Sequence, residues 1–200
     1  MEDRSVVMVG KWLGFVVWLF YLSYEVWVRK GRGKSWQAEE NTDQSTTRLI
    51  RRWLLFWTVS VSFLAVTGFL LPLSLQTLPW EVVAACLSIM LTGCSLRYSA
   101  MTVLGESFSR TLKVREDQRL IRHGVYSVLR HPGYAANLCV WVPLIFLETR
   151  SPVVVAFFLL SFAYVYRRRI LSEEQMLRNA FPQEYPDYEK RTGRLIPYLI

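Results

Sequence analysis

The sequence predicts an all-α, multi-pass integral membrane protein with about five transmembrane helices, two of them forming a C-terminal helical hairpin. Two observations carry that expectation. Hydrophobic residues make up 52% of the 200 residues, including 8 Trp, 10 Tyr and 11 Phe, and mean hydropathy is +0.20. They gather in long uncharged runs that a soluble domain of this size does not carry. The cations gather between the runs: 20 of the 24 Lys and Arg fall in residues 29–52, 105–131 and 167–200. The net charge of +8 thus reads as orientation and attraction to anionic headgroups, not as nucleic-acid binding. The same composition excludes intrinsic disorder. Three cysteines in apolar stretches, Cys86, Cys94 and Cys139, exclude a disulfide scaffold.

A span needs about 20 mostly apolar residues. Residues 9–28 supply the first, with Trp12, Trp18 and Trp27 along it. It lacks a signal-peptide cleavage pattern and reads as a retained helix. Its Gly10 and Gly14 form a GxxxG, expected to pack within the chain. Residues 31–47 read as a polar loop or disordered linker. Residues 53–71 are a second, uncharged span closed by Pro72, and 79–104 a third, with Glu81 near its outer end and Arg97 near its inner end. Residues 134–147 and 153–166 are shorter apolar runs, separated only by the turn sequence ETRSP. They read as a hairpin, spanning or partly re-entrant. The cation distribution then places the N-terminus outside and the C-terminal region in the cytoplasm.

Much familiar chemistry is missing. With His123 and His131 as the only histidines, and neither CxxC nor HExxH, no metal site is expected. GxGxxG, Walker A and GxSxG patterns do not occur. The spans hold chiefly Glu25, Glu81 and Arg97, fewer ionisable groups than a pump or ion-coupled carrier uses.

Polar chemistry gathers in two places. The first is QRLIRHGVYSVLRHPGYAAN, from Gln118. Pro132 disfavours helix at His131 and suits a helix start, so the His-Pro pair marks the cytoplasmic mouth of the fourth helix. A helix N-terminus there offers N–H donors and partial positive charge to a carboxylate or phosphate, flanked by Tyr126, His131 and Tyr134. The second is RRRILSEEQMLRNAFPQEYPDYEKRTGRLIP. Arg169 and Glu173 are four apart and share a helix face, and Glu174 and Arg178 repeat the spacing on an adjoining strip. Taken alone, these describe ordinary surface pairs worth about 0.3–0.5 kcal/mol each. Their position just beyond the last apolar run, opposite the first cluster, points to a site role instead. Tyr185, Tyr188, Arg191 and Arg194 return with Pro186 and Pro197 at turns.

Together, GVYSVLRHPGY at 124–134 and EEQMLRNAFPQEYPDYEKRTGRLIP at 173–197 resemble the isoprenylcysteine carboxyl methyltransferase family of integral membrane enzymes. The resemblance covers roughly the last 80 residues, with departures at Ala135-Ala136 and Pro182, where the family pattern has glycine. It implies a three-span membrane region over 1–104 and a catalytic region over 105–200. It implies a methyl transfer from S-adenosyl-L-methionine to a lipophilic, prenyl or acyl, acceptor at the bilayer, with the carboxylate of a prenylated cysteine favoured. Carried over, cofactor contacts fall on Thr111, Gln118, Arg119, Leu120, Ile121, Tyr126, His131, Pro132, Gly133, Tyr134 and Glu173. Arg169 faces the acceptor, and Arg169 and Glu173 are the expected catalytic pair. A phospholipid amine as acceptor, a NADPH-dependent sterol-type reductase and a non-catalytic membrane scaffold are the rival readings. A carboxylate acceptor is already ionised and needs no base, whereas an amine would need one such as Glu174 or His131.

Overall fold

A computed structural model of the chain describes residues 2–31, 44–70, 78–105 and 120–197. The described elements are helical: α1 (Glu2–Gly31), α2 (Gln44–Leu70), α3 (Trp80–Leu104), a 3-10 turn (Gly124–Ser127), α4 (Pro132–Thr149), α5 (Pro152–Ala180) and α6 (Tyr185–Arg191). The only bridge between extended segments among these residues is the parallel pair Leu129 and Gly193.

Helix α4 is the axle of the bundle. It lies along α3 and also touches α1, α2 and α5. Ala136, Val140 and Leu144 on it are sealed from solvent. Small residues permit that closeness. A Cβ on Gly93 would come 2.8 Å from Cys139 Cβ and 3.0 Å from the Ala136 carbonyl oxygen. Gly14 likewise meets Leu147, 3.1 Å from where its Cβ would stand, so this half of the GxxxG packs within the chain. An aromatic layer fills the space between α2 and α5. Trp53 packs edge-on to Phe162 and Tyr166, and its indole N–H donates to Ser161 Oγ at 3.0 Å.

The outer faces are apolar as well. Phe20 on α1, Leu55, Val59 and Phe63 on α2, Leu91 on α3, and Val153, Phe157 and Leu160 on α5 are all exposed. Such stripes are what a bilayer covers. Among the described residues, two helices are long and apolar enough to cross one, Thr46–Thr67 and Trp80–Leu104; α1 offers a shorter apolar stretch, Trp12–Val26, that includes Glu25.

Two helices differ from the sequence expectation. Helix α2 begins at Gln44, inside the segment read as a polar loop. That extension carries Thr46 and Thr47 into the bundle. Helix α5 does not stop with its apolar run but continues to Ala180. Its polar half is held by ion pairs, so helix period replaces hydropathy as the signal there. The hairpin turn is as tight as expected. Arg150 takes a left-handed conformation (φ 51°), and Ser151 Oγ caps α5 by accepting the Val154 N–H at 3.4 Å, with Pro152 at the helix start.

Candidate functional site

His131 and Pro132 do start the fourth helix: His131 is the N-cap and Pro132 the first helical residue. The carbonyl of His131 accepts the N–H groups of Tyr134 (3.0 Å) and Ala135 (3.2 Å), and Pro132 has no N–H to offer. The helix mouth therefore has fewer donors for an anion than the sequence suggested. Gly124 opens the preceding motif with φ 61°, and a Cβ there would stand 2.9 Å from Val103 Cγ2. Both the backbone angle and the contact require glycine. This fixes the turn that buries Tyr126.

From α5, Glu173 reaches back to that mouth. Tyr134 donates its hydroxyl to Glu173 Oε1 at 2.8 Å. Arg169 Nε donates to the same oxygen at 3.2 Å. His131 Nδ1 lies 3.3 Å from Oε2. The imidazole stacks on Tyr134, with centroids 5.5 Å apart and 11° between planes. Arg169 Nη1 donates to Thr47 Oγ1 at 3.1 Å, so α2 also supplies this site. Behind it, Asn137 Nδ2 donates to the Tyr166 hydroxyl at 3.0 Å and accepts at Oδ1 from Tyr21 of α1. The structure thus joins Arg169, Glu173, His131 and Tyr134, drawn from two sequence motifs, into one cluster.

Glu174 does something different. It is 0% exposed, a correction to its reading as half of a surface pair. Arg130 Nε donates to it at 3.1 Å, Arg194 Nη2 at 2.9 Å, and Arg178 Nη2 stands 3.7 Å away. Arg130 also bonds the Glu189 carbonyl at 2.6 Å and that of Thr192. The backbone completes the clasp: Arg130 N–H donates to the Gly193 carbonyl (2.8 Å), His131 N–H to that of Arg194 (3.1 Å), and Gly193 N–H to that of Val128 (3.0 Å). Tyr188 donates its hydroxyl to the Tyr126 carbonyl at 2.8 Å. The C-terminal segment is buttoned over the segment leading into α4.

These surroundings set the charges. Burial alone would push Glu174 up, but His131 and Arg194 beside it outweigh that and hold the carboxyl at about 2. Glu173 is lowered against the same burial by His131 and Arg169. His131 is raised: burial would lower it, but the two carboxylates favour the imidazolium. Tyr126 is raised chiefly by burial, with Arg97 pulling it down and Glu173 pushing it up.

The remaining expected residues divide. Tyr126 and Pro132 are buried at the cluster's edge, and Leu120 and Ile121 are half-buried on the segment entering the turn; among the described residues they make no polar contact with it. Thr111, Gln118 and Arg119 lie outside the described residues. Gly133 is the second residue of α4, and its missing Cβ makes room for Arg97: a Cβ would stand 2.4 Å from Arg97 Nη1. Sequence reasoning missed Thr47, Arg130, Asn137 and Tyr166 as neighbours of the site. Arg130 stands inside the quoted motif, but Thr47 had no local signal at all.

The cluster suits a small cationic donor that also carries a carboxylate. It offers aromatic faces and a carboxylate to a positive centre. Its His131 Nε2, buried and 3.5 Å from Glu174 Oε1, makes no hydrogen bond among the described residues. S-adenosyl-L-methionine fits such a donor set.

An all-helical bundle with lipid-type outer faces and a polar site capped at one helix mouth defines a class of helical membrane-protein folds. Residues 84–179 match the model of the isoprenylcysteine carboxyl methyltransferase family. A "Probable protein-S-isoprenylcysteine O-methyltransferase" of Oryza sativa subsp. indica is 32% identical over 122 residues, covering 60% of this chain and 63% of the relative. The chain thus spans just under two thirds of that relative's length. The "Cobalt-zinc-cadmium resistance protein CzcN" of Cupriavidus metallidurans is 38% identical over 85 residues, covering 42% of this chain and 38% of the relative. The fold is similar to the solved structure of the eukaryotic intramembrane Ras methyltransferase ICMT, with TM-score 0.58 at 24% identity, covering 73% of this chain and 52% of that one.

Proposed function

We propose that the chain is a membrane-embedded methyltransferase that moves a methyl group from S-adenosyl-L-methionine to the carboxylate of a prenylated cysteine, forming a methyl ester. The observation that carries this reading is the joining of His131, Tyr134, Arg169 and Glu173 at the α4 mouth. The match of residues 84–179 to the family model supports the reaction class, and the name of the rice relative supports the acceptor.

The donor, when bound, supplies an electrophilic methyl on a positive sulfur. The chain's task is placement in a dry site, because the displacement is in-line and the acceptor is already ionised. Arg169 orients the acceptor carboxylate through a charge-assisted contact. Glu173, with His131 and Tyr134, gives the donor's amino group an anionic, aromatic wall. Glu174 is no general base: His131 and Arg194 hold its carboxyl at about 2, and, with Arg130 and Arg178 also around it, its role is to anchor the cap.

The exposed apolar stripes support a five-span arrangement with the N-terminus outside and the site at the cytoplasmic surface, where loops carry the cations. In that arrangement residues 1–104 form the membrane scaffold and 105–200 the catalytic region. The acceptor's lipid chain enters from the bilayer and the donor from water.

The test uses membranes containing the chain, methyl-labelled donor and N-acetyl-S-farnesylcysteine. Label released as methanol by alkali is the expected result. Label that survives alkali would mean N-methylation, and no labelled product with any lipid or prenylcysteine would overturn the reading.

A further inference from the structure

Glu25 on α1 and Arg97 on α3 form a buried ion pair that the reaction described above leaves unused; the two residues are 8% and 7% exposed. Tying two helices together does not require charge. An apolar pair of similar volume does so without the desolvation cost, and ionisable groups inside membrane helices mark working sites. The orientation of Arg97 suggests what the charge is for. Its Nε is engaged by Glu25. Its other edge lies on the backbone of Gly133: a Cβ there would be 2.4 Å from Nη1 and 3.6 Å from Cζ. Gly133 is the second residue of α4, between Pro132 and Tyr134 of the site. Tyr126 registers the charges of both Arg97 and Glu173, so one neighbourhood holds all three.

Chemistry leaves a role open. The proposed reaction brings in two carboxylates, the acceptor's and the one on the amino-acid part of the donor. Arg169 accounts for one. We propose that Arg97, aligned by Glu25, is a carboxylate-binding residue of the site, holding the second carboxylate against Gly133. The inference rests on the methyl-transfer reading. Glu25 lies outside the matched region 84–179, so the first helix contributes to ligand binding through Arg97.

The test is calorimetric binding to the full chain in lipid nanodiscs, with four ligands in matched pairs. S-adenosylhomocysteine is compared with 5′-methylthioadenosine, which lacks the amino-acid part. N-acetyl-S-farnesylcysteine is compared with its amide. Arg97→Gln alone strips the buried Glu25 of its arginine and is expected to fold poorly. The double variant Glu25→Gln/Arg97→Gln keeps a hydrogen-bonding pair without charge. In it, one carboxylate ligand should bind about tenfold more weakly or worse, the loss of a charge-assisted contact. Its carboxylate-free counterpart should stay within about twofold. Weakening of S-adenosylhomocysteine places the donor on Arg97; weakening of the farnesylcysteine places the acceptor there. Equal effects within both pairs would leave only a helix tie and overturn the proposal alone. A wild-type chain that binds none of the four would overturn the methyl-transfer reading and this inference with it.

Discussion

Glu173 and Glu174 are neighbours on α5, about 100° apart around the helix, and their surroundings assign them opposite work. Glu174 is sealed, with Arg130, Arg178 and Arg194 around it. Glu173 has one arginine, one histidine and one tyrosine, and its side chain keeps 20% exposure. A carboxylate saturated by guanidinium groups is an anchor, because every lone pair is committed and protonation is remote. A carboxylate with a single arginine and an open side can still exchange its partners for a ligand. The pair EE, read as letters, does not say which is which.

That contrast can be broken experimentally, most forcefully at the anchor. Glu174→Gln strands Arg130 in a buried position and should cost about 3–5 kcal/mol of stability. Thermal melting should fall, and protease should reach the segment after α6; a variant that melts like wild type would mean the clasp is idle. Arg169→Ala should do the reverse. We expect turnover to fall by about a hundredfold or more with donor binding retained, read as a kcat loss against an unchanged donor affinity. A larger loss of donor binding than of turnover would reassign Arg169 to the donor.

Tyr134→Phe removes one neutral-to-charged hydrogen bond to Glu173, worth about 1.5–3 kcal/mol in such settings. Turnover should drop about tenfold or somewhat more. Thr47→Val, which frees one edge of Arg169, should cost only about 1 kcal/mol, seen as a several-fold rise in acceptor KM.

Acid separates the two regions further. The folded Glu174 carboxyl, at about 2, is depressed from its ordinary 4.5. Its stabilising contribution is complete above pH 4.5 and is lost as pH falls toward 2. His131 runs the other way. Its folded value is raised above 6.5, so its contribution is complete below 6.5 and is lost as pH rises through the raised value. Melting temperature against pH should therefore fall at both ends, and Glu174→Gln should flatten the acid limb.

Much of this molecule was legible because its signals are local. Pro132 after His131 marked a helix start, the spacing of Arg169 and Glu173 marked one face, and the apolar runs marked the helices. The missed contacts are those in which side chains from distant segments meet. Arg169 bonds Thr47 across 122 positions, and no periodicity in either segment points at the other. The polar halves of α2 and α5 escaped for a related reason. Hydropathy reports what lipid or core surrounds, whereas these turns are held by a hydroxyl in one case and by paired charges in the other. The burial of Glu174 escaped because its identical spacing to Arg178 is what an exposed pair also shows. Gly133 carried a glycine signal whose cause lay on another helix, in the guanidinium of Arg97.

The clasp between Leu129 and Gly193 has a consequence in time. A chain is made from its N-terminus, and the halves of this clasp are about sixty residues apart. At roughly 5–20 residues per second of synthesis, several seconds separate the moment Arg130 emerges from the moment Gly193 and Arg194 do. Through that interval α4 and α5 can already be paired in the bilayer, but the Arg130 guanidinium and the N–H groups of Arg130 and His131 lack their later partners. The site is therefore finished last, after the helices that carry it, and a nascent chain stalled before Gly193 should be inserted yet unable to close its cap.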